Sequence, residues 1–199
     1  MKQVMRAVGV GLLAFVLVSV VVWHAGPVQA QETISAQLRF QINVLNRLLV
    51  GLRTITTTLD QDYTQLFASG TGANQGNAMW QSQRTLAAST SESLDLSGSL
   101  TDDFGQSVTC TGLKALVVKA SSSNTNNVLV GGGLTTLTAL TTTGALQEGI
   151  VVKPGGVFFI TFPDDAGGAV TGGSTDVLQV ANSGAGSSVV FDIIVICEE

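Results

Sequence analysis

The chain has 199 residues, 45% of them hydrophobic and only 12% charged, with a net charge of −5 and a pI near 4.7. The length suits one domain with an extension. Lysine and arginine form no cluster beyond the extreme N-terminus. We therefore expect no nucleic-acid partner, because binding along a phosphate backbone needs a positive face.

Residues 1–30 have the pattern of a secretory signal. Lys2 and Arg6 precede an apolar run over 7–23, and the sequence HAGPVQAQ then offers cleavage after Ala30. The alternative is an uncleaved membrane anchor through residues 7–23, a run of 17 residues at the short limit for spanning. Cleavage would remove His24, the only histidine, and leave seven basic residues against fourteen acidic ones.

Residues 31–68 have apolar side chains spaced alternately four and three apart, which predicts a helical coiled-coil segment. We expect this segment to bring copies of the chain together, since such a seam is longer than a typical globular helix stripe. The alternative is an amphipathic helix packed on its own domain. The predicted interface residues of the seam are Leu38, Ile42, Leu45, Leu49, Leu52 and Leu59.

Residues 69–78, SGTGANQGNA, are polar and glycine-rich, which predicts a flexible linker. The remainder, 79–199, contains short β-like runs between turn clusters, and this spacing predicts an antiparallel β-sandwich, jelly-roll-like in character. The fold expected is therefore mainly β, preceded by the helical segment. The predicted strands are 84–88, 91–96, 113–120, 127–130, 134–140, 149–152, 157–162, 177–181 and 188–197.

Two predicted strands, VFFITF and VVFDIIVIC, are apolar at nearly every position instead of alternating. A strand with one wet face should alternate, so we expect both faces of these strands to be covered. Either the sandwich is thick there or another subunit covers the second face. On the second interpretation, Phe159 and Phe191 join the predicted oligomer interface.

The glycine-rich stretches VLVGGG and KPGG follow strands, as phosphate-binding loops do, but β-rich sequence follows each of them. A phosphate loop needs a helix directly after it, so we interpret KPGG as a corner between strands. Without His24, a serine nucleophile would need a lysine or carboxylate base, and Lys114, Lys119 and Lys153 do not lie in a Ser-x-x-Lys pattern. We expect no cofactor and no enzymatic activity.

Two pairs of acids, Asp102–Asp103 and Asp164–Asp165, lie in glycine-containing turns. We interpret them as solvated turns, because aspartate favours turns by accepting hydrogen bonds from its own backbone. Carboxylates in such turns could also bind calcium. In that case Asp102 and Asp164 are the candidate ligands.

The two cysteines, Cys110 and Cys197, each lie in or beside a predicted strand. In an exported protein they could pair, and the even count permits it. Cysteines in strands are also often buried free thiols. The sequence leaves both alternatives open.

Four segments of the C-terminal part resemble a β-sandwich module of minor virion proteins in tailed bacteriophages: RTLAASTSESLDLSGSLTDDFG, LKALVVKASSSNTNNVLVGG, VVKPGGVFFITFPDDAGGAV and DVLQVANSGAGSSVVFDIIVI. The resemblance covers about residues 80–197 and concerns head-decoration, fibre or tail-associated proteins. It implies a non-enzymatic structural role, often in a trimer, with the N-terminal segment attaching the module to the particle. A secretory leader departs from that pattern.

We therefore expect a structural virion component that forms a homotrimer and contacts other virion proteins. The alternative is an exported, cell-surface binding or adhesion module whose ligand would be a carbohydrate. Trp80 is the only tryptophan left after the leader and is the candidate sugar contact in that alternative. A membrane would be contacted only through residues 7–23, if the leader is retained.

Overall fold

The computed structural model of the chain describes residues 33–50, 53–98, 100–131, 149–173 and 175–199. Across these ranges the regular elements are β-strands, and no helix occurs. The strands are β1 (Ser35–Val50), β2 (Arg53–Ser69), β3 (Gln75–Gly76), β4 (Ala78–Leu86), β5 (Ser91–Asp95), β6 (Leu100–Thr101), β7 (Ser107–Val108), β8 (Gly112–Ala120), β9 (Val128–Gly131), β10 (Ile150–Val152), β11 (Val157–Thr161), β12 (Gly168–Ala169), β13 (Val177–Asn182) and β14 (Val189–Glu198).

Two antiparallel sheets form the body of the molecule. One sheet has the order β11-β8-β14-β4, with β12 paired to β8, and the other has the order β10-β9-β13-β5. β13 pairs with both β5 and β9, and β14 pairs with both β4 and β8. Strands distant in the chain are therefore neighbours in each sheet.

The core lies between the two sheets and forms one cluster of buried side chains. Every second residue of a strand points to the same side of its sheet. In these strands the residues on the inner side are apolar, so the space between the sheets is filled by apolar side chains. Burial of such area contributes about 25 cal/mol per Å². One sheet contributes Trp80, Leu116, Val118, Phe191, Ile193 and Val195, and the other Leu94, Val128, Val130, Val152, Leu178 and Val180.

The β-rich prediction for 79–199 is confirmed. Eight of the nine predicted strands are present with bounds that differ by a few residues, and β4 begins earlier than predicted, at Ala78. The ninth, 134–140, lies outside the described residues. Buried runs between glycine-rich turns are a dependable strand signal, because the side chains and the turn geometry select the same structure.

The KPGG stretch is a corner, as predicted. It joins β10 of one sheet to β11 of the other, and the Gly156 N–H donates to the Lys153 carbonyl at 2.7 Å. Gly155 has a φ of 74°, a conformation that glycine adopts without a Cβ penalty. A side chain at Gly156 would place its Cβ 2.8 Å from that same carbonyl oxygen.

A helical coiled-coil segment was predicted over 31–68, whereas the described residues of this range form strands. β1 and β2 form a long antiparallel hairpin there, with Ser35 opposite Ala68 at one end and Val50 opposite Arg53 at the other. The heptad interpretation overlooked a period of two in β1, where Ala36, Leu38, Phe40, Ile42 and Val44 alternate with polar residues. Such alternation is typical of a strand with one apolar face.

The flexible linker predicted over 69–78 is hydrogen-bonded into the body. Gly70 N donates to Gly76 O at 3.2 Å, and Asn74 N donates to Pro163 O at 2.8 Å. Asn74 takes a φ of 57°, which asparagine tolerates in tight turns. The polar composition therefore supplies a turn and the short strand β3, which pairs with β2 in parallel.

Phe191 was predicted at an oligomer interface, and this is wrong, because its side chain is buried in the core. Its strand, β14, is central in its sheet and buries alternate residues between the two sheets. The near-continuous apolar run therefore reflects a central position, with the second face only half buried at Val190 and Ile194.

Cys110 and Cys197 are joined by a disulfide, with their Cα atoms 5.6 Å apart. The bond closes a loop with a sequence separation of 87 and ties the segment before β8 to the end of β14. Both cysteines are buried and paired, so the disulfide alternative is confirmed and the free-thiol alternative is wrong.

Lys114 is fully buried at the irregularity of β8, beside the end of β14. Its ammonium donates to the carbonyls of Asp164 and Asp165, both at 2.9 Å. It also forms an ion pair with the Glu198 carboxylate at 3.1 Å. A buried charge needs such partners, and here they hold the PDDAGG turn against the sheet.

Candidate functional site

The β1–β2 hairpin, called the arm below, has two chemically different faces. Residues directly opposite each other in an antiparallel pair point to the same side. The register places Phe40 opposite Tyr63, Val44 opposite Leu59 and Leu38 opposite Gln65. The apolar face of the arm contains Ala36, Leu38, Phe40, Ile42, Val44, Leu59, Tyr63 and Phe67.

The polar face of the arm contains mostly polar and charged residues. Arg39 Nε donates to Asp62 Oδ1 at 3.0 Å, and a second guanidinium nitrogen reaches the other carboxylate oxygen. The hydrogen bonds from Arg39 hold the pKa of the Asp62 carboxyl below its ordinary value. Leu45, Leu66 and Ala68 are the apolar exceptions on this face among the described side chains, and all three are exposed.

The base of the arm is anchored on the body. Phe67 is buried against Ala115 and Ile196, and Leu38 packs at the edge of the same cluster together with Ala36 and Met79. Ala115 and Ile196 lie opposite each other in the β11-β8-β14-β4 sheet, on the side that faces away from the core. The apolar face of the arm is therefore already packed on the outer face of this sheet.

An aromatic group lies directly beyond the anchor. The rings of Phe40 and Tyr63 stack with their centroids 6.5 Å apart, and Phe40 lies 6.3 Å from Phe159 of β11. Such pairs stabilise a contact by about 0.5–1.5 kcal/mol beyond area burial. All three rings nevertheless remain 43% to 58% exposed.

Past the aromatic group, the apolar face of the arm lacks cover in the described part of the chain. Val44 is 46% exposed and Leu59 is 48% exposed. We call the part of the arm from 41–50 and 53–62 the distal arm. A two-stranded ribbon standing alone is marginally stable in water, so this strip favours a further packing partner.

On the outer face of the β11-β8-β14-β4 sheet, the apolar surface around Ala115 and Ile196 continues into the next row of side chains. The register aligns Phe159, Val117, Ile194 and Gln81 in one row across the four strands. The next row contains Val157, Lys119, Asp192 and Gln83. Val157 is 59% exposed, so the edge strand β11 leaves part of this face open.

A groove of about 600 Å³ lies on this outer face. Val117 and Ile194 form an apolar floor, and polar side chains of β4, β8, β14 and the β6–β7 turn form its rim. In the rim, Gln81 donates to Asp103 at 2.7 Å and Gln83 donates to Asp192 at 2.8 Å. The groove combines an apolar floor with hydrogen-bonding groups that can also accept new partners.

The residues predicted for the oligomer interface, apart from the buried Phe191, lie in several different parts of the structure. Leu38 and Ile42 are half buried on the apolar face of the arm, where Leu59 is exposed, and Leu45 is exposed on the opposite face. Phe159 is partly exposed on the outer face, next to the arm. Leu49 lies in β1 opposite Thr54, and Leu52 lies outside the described residues.

The calcium candidates Asp102 and Asp164 lie in separate turns. Asp102 Oδ1 accepts hydrogen bonds from the N–H groups of Phe104 and Gln106, at 2.9 and 2.7 Å. Asp164 Oδ1 accepts one from Gly167 N at 2.6 Å. Across the described residues, no group of three or more His, Cys, Asp or Glu side chains is placed to hold a metal ion.

A third aspartate, Asp176, organises a turn of the opposite sheet. Its Oδ2 accepts hydrogen bonds from Ser97 Oγ at 2.7 Å and from Gly173 N at 2.6 Å. These bonds, with that of Ser97 the largest cause, hold the pKa of the Asp176 carboxyl below its ordinary value. The group stabilises the body and lies apart from the groove.

Trp80 is not available as a sugar contact, because its indole is buried in the core. Arg84 lies 5.4 Å over the Trp80 ring and pairs with Glu92 at 3.3 Å. Among the described residues, the exposed rings are instead Phe40, Tyr63 and Phe159, which lie together, and Phe104 of the β6–β7 turn. Sequence reasoning missed Phe40 because the heptad pattern assigns it no seam position.

Within the described ranges, no helix has the length and hydropathy needed to cross a membrane.

Comparison of the chain with protein-family models, with curated proteins and with solved structures finds no match. The arm, the outer face and the groove are therefore interpreted from their own chemistry.

Proposed function

We propose that the chain is a non-enzymatic structural subunit that associates with copies of itself through the arm and displays a β-sandwich head. The observation that carries this proposal is the uncovered apolar face of the distal arm, represented by Val44 and Leu59. Exposed apolar patches of this kind mark interaction surfaces in soluble proteins. Self-association would cover the strip without a further protein.

The strand order supports a specific architecture for the head. Counting the eight main strands from β4 to β14, the sheets contain the first, eighth, third and sixth strands, and the second, seventh, fourth and fifth. Two four-stranded sheets connected in this way form a jelly roll, which viral capsid proteins and lectins use. We propose that the head is a jelly roll.

The proposed setting is a virion of the tailed-phage type, as a decoration, fibre or tail-associated protein. Support comes from the sequence resemblance over residues 80–197 and from the jelly-roll order. The resemblance implies a homotrimer, and the hairpin arm takes the place of the coiled coil as its proposed basis. If residues 1–30 act as a leader, the location is extracellular.

Light scattering tests self-association directly. The chain 31–199, which contains the compact unit 33–199, is expected to elute as an oligomer of constant mass, with a trimer as the expected state. A monomer at micromolar concentration would overturn the proposal. Capsid, portal or tail genes beside the coding sequence would support the virion setting, and their absence would favour a surface protein.

A surface binding module is the second candidate, and the exposed rings of Phe40, Tyr63 and Phe159 favour it. Aromatic rings with open faces can stack on sugars. A glycan array that gives specific signals, lost in Tyr63→Ala and kept in Gln37→Ala, would support this function. Gln37 is an exposed residue of the polar face of the arm and serves as the matched control.

A further inference from the structure

The distal arm and the groove are two uncovered apolar features of the described residues, and the surfaces to which they belong are already in contact at the anchor. At the anchor, Phe67 and Leu38 of the arm pack on Ala115 and Ile196 of the outer face. The distal arm extends the first surface, and the floor of Val117 and Ile194 extends the second. Within one chain, Val44 and Leu59 remain exposed, so the distal arm does not fill its own groove.

The reach of the distal arm fits an occupant from another copy. It contains ten residues in each strand, and a strand rises about 3.3 Å per residue. The distal arm therefore spans about 33 Å, enough to cross the sheet of a neighbouring molecule.

The charges of the two surfaces are complementary. Residues 35–69 contain three arginines and two aspartates, a net charge of +1. Residues 70–199 contain four basic and eleven acidic residues, a net charge of −7. Two bodies repel each other, two arms do not attract, and an arm is attracted to a body. Charge therefore favours an arm on a body over a contact between two arms.

The groove matches the apolar face of the arm in chemistry. In the distal arm that face carries Gln61 beside its apolar side chains, and the rim of the groove offers the amides of Gln81 and Gln83 beside the Asp192 carboxylate. Apolar side chains of the arm would lie on Val117 and Ile194 while the Gln61 amide exchanges hydrogen bonds with the rim. Interfaces of moderate size commonly combine such a core and rim.

From these observations, we propose that the distal arm of one copy packs its apolar face into the groove of a second copy. This inference rests on the proposed function and names the surface that the arm occupies. The contact joins two different patches, so repeating it gives a closed ring, of which a trimer is one example, when the rotation between copies divides a full turn.

Complementation between two variants tests this pairing. The arm variant, Val44→Asp with Leu59→Asp, keeps a complete groove, and the groove variant Ile194→Asp keeps a complete arm. Each is expected to be monomeric by light scattering at micromolar concentration. The arm variant has no apolar arm to insert, and the groove variant has a charge in the floor of its groove. Mixed in equal amounts, they are expected to form a heterodimer, since one complete arm can enter one complete groove.

Two further variants keep the result interpretable. Gln81→Trp fills the groove from an exposed position and is expected to give the same monomer and the same complementation, whatever Ile194→Asp does to folding. Thr56→Asp adds a charge to the polar face of the arm, opposite Arg47, and is expected to keep the wild-type mass. Circular dichroism of each variant reports its folding.

The outcomes separate the two proposals. If the wild-type chain is oligomeric and Gln81→Trp remains oligomeric, the arm packs elsewhere and this inference is overturned while self-association stands. If the arm variant and the groove variants are all monomeric but do not complement each other, a complete arm and a complete groove do not suffice for the contact, which also overturns the inference. If the wild-type chain is a monomer, self-association fails as well.

Discussion

The arm and the sandwich are both built from antiparallel strands with alternating apolar residues, but only the sandwich buries its apolar side within one chain. Val118 and Ile193 of the sandwich are fully buried, whereas Val44 and Leu59 of the arm are nearly half exposed. The same local pattern thus produces a core where a second sheet faces it and an open strip where none does. Local alternation fixes which face is apolar, and the neighbours decide whether it is covered.

Hydrogen exchange should show the largest difference between the two regions. In the monomeric arm variant, amides of the distal arm are expected to exchange at least about 10³-fold faster than those of β8 and β14, whose opening requires global unfolding of about 5 kcal/mol or more. Mass spectrometry of deuterated peptides measures both. In the wild-type oligomer the distal arm should gain protection. Equal protection in the monomer would mean that the arm is stable without a partner.

Truncation of two phenylalanines compares the regions energetically. Phe191→Ala should lower the free energy of unfolding by about 3–5 kcal/mol, because it opens a cavity in the core. Phe159→Ala, at a partly exposed site next to the arm, should lower it by about 1 kcal/mol or less. Urea unfolding in the background of the monomeric arm variant, Val44→Asp with Leu59→Asp, measures both. Similar losses would contradict the assignment of Phe191 to the core.

Lys114→Ala removes the buried ammonium and should lower the free energy of unfolding by about 3 kcal/mol, the low end for a broken buried pair. The smaller loss is expected because the Glu198 side chain is 15% exposed, so water can hydrate its carboxylate when the ammonium is removed. Lys119→Ala, at an exposed position of the same strand, is the matched control and should change stability by about 0.5 kcal/mol or less. Both are measured in the monomeric arm variant, because Lys119 lines the groove. A small effect of Lys114→Ala would show that water replaces its partners.

The pH dependence of the body should be the smallest of these effects. The lowered pKa of Asp176 means that its carboxylate stabilises the folded state above its ordinary pKa of about 4, and that this contribution is lost as the pH falls through the lower folded value. Asp176→Asn should therefore have a lower Tm than wild type at pH 7, and the difference should shrink below about pH 4.

Differential scanning calorimetry at pH 7, 4, 3 and 2 checks this expectation at one protein concentration. Asp60→Asn removes the same charge at an exposed position of the arm and should change the Tm less at pH 7. A difference for Asp176→Asn that stays constant down to pH 2 would show that its hydrogen bonds do not depend on the charge.

From the sequence, the apolar run VFFITF predicts covered faces and an interface that includes Phe159; the structure leaves that side chain 43% exposed, and the interface itself stays a prediction. The groove could not be predicted, because Val117, Ile194 and Gln81 meet only through the pairing of β8, β14 and β4. Phe40 could have been found from the alternation of β1. The spacing of leucines that suggests a heptad also fits two opposite faces of a ribbon, as Leu38 and Leu45 show.

The sequence by itself determined the strands of the body, the KPGG corner and the acidic charge, because turn chemistry and alternating burial act over a few neighbouring residues. It did not determine the structure of residues 35–69, where one set of apolar positions satisfies both a helical and a strand period in part. The tertiary structure decided that Phe191 lies inside and Phe159 outside. Two phenylalanines in equally apolar runs differ only in the strands that lie beside and across from them.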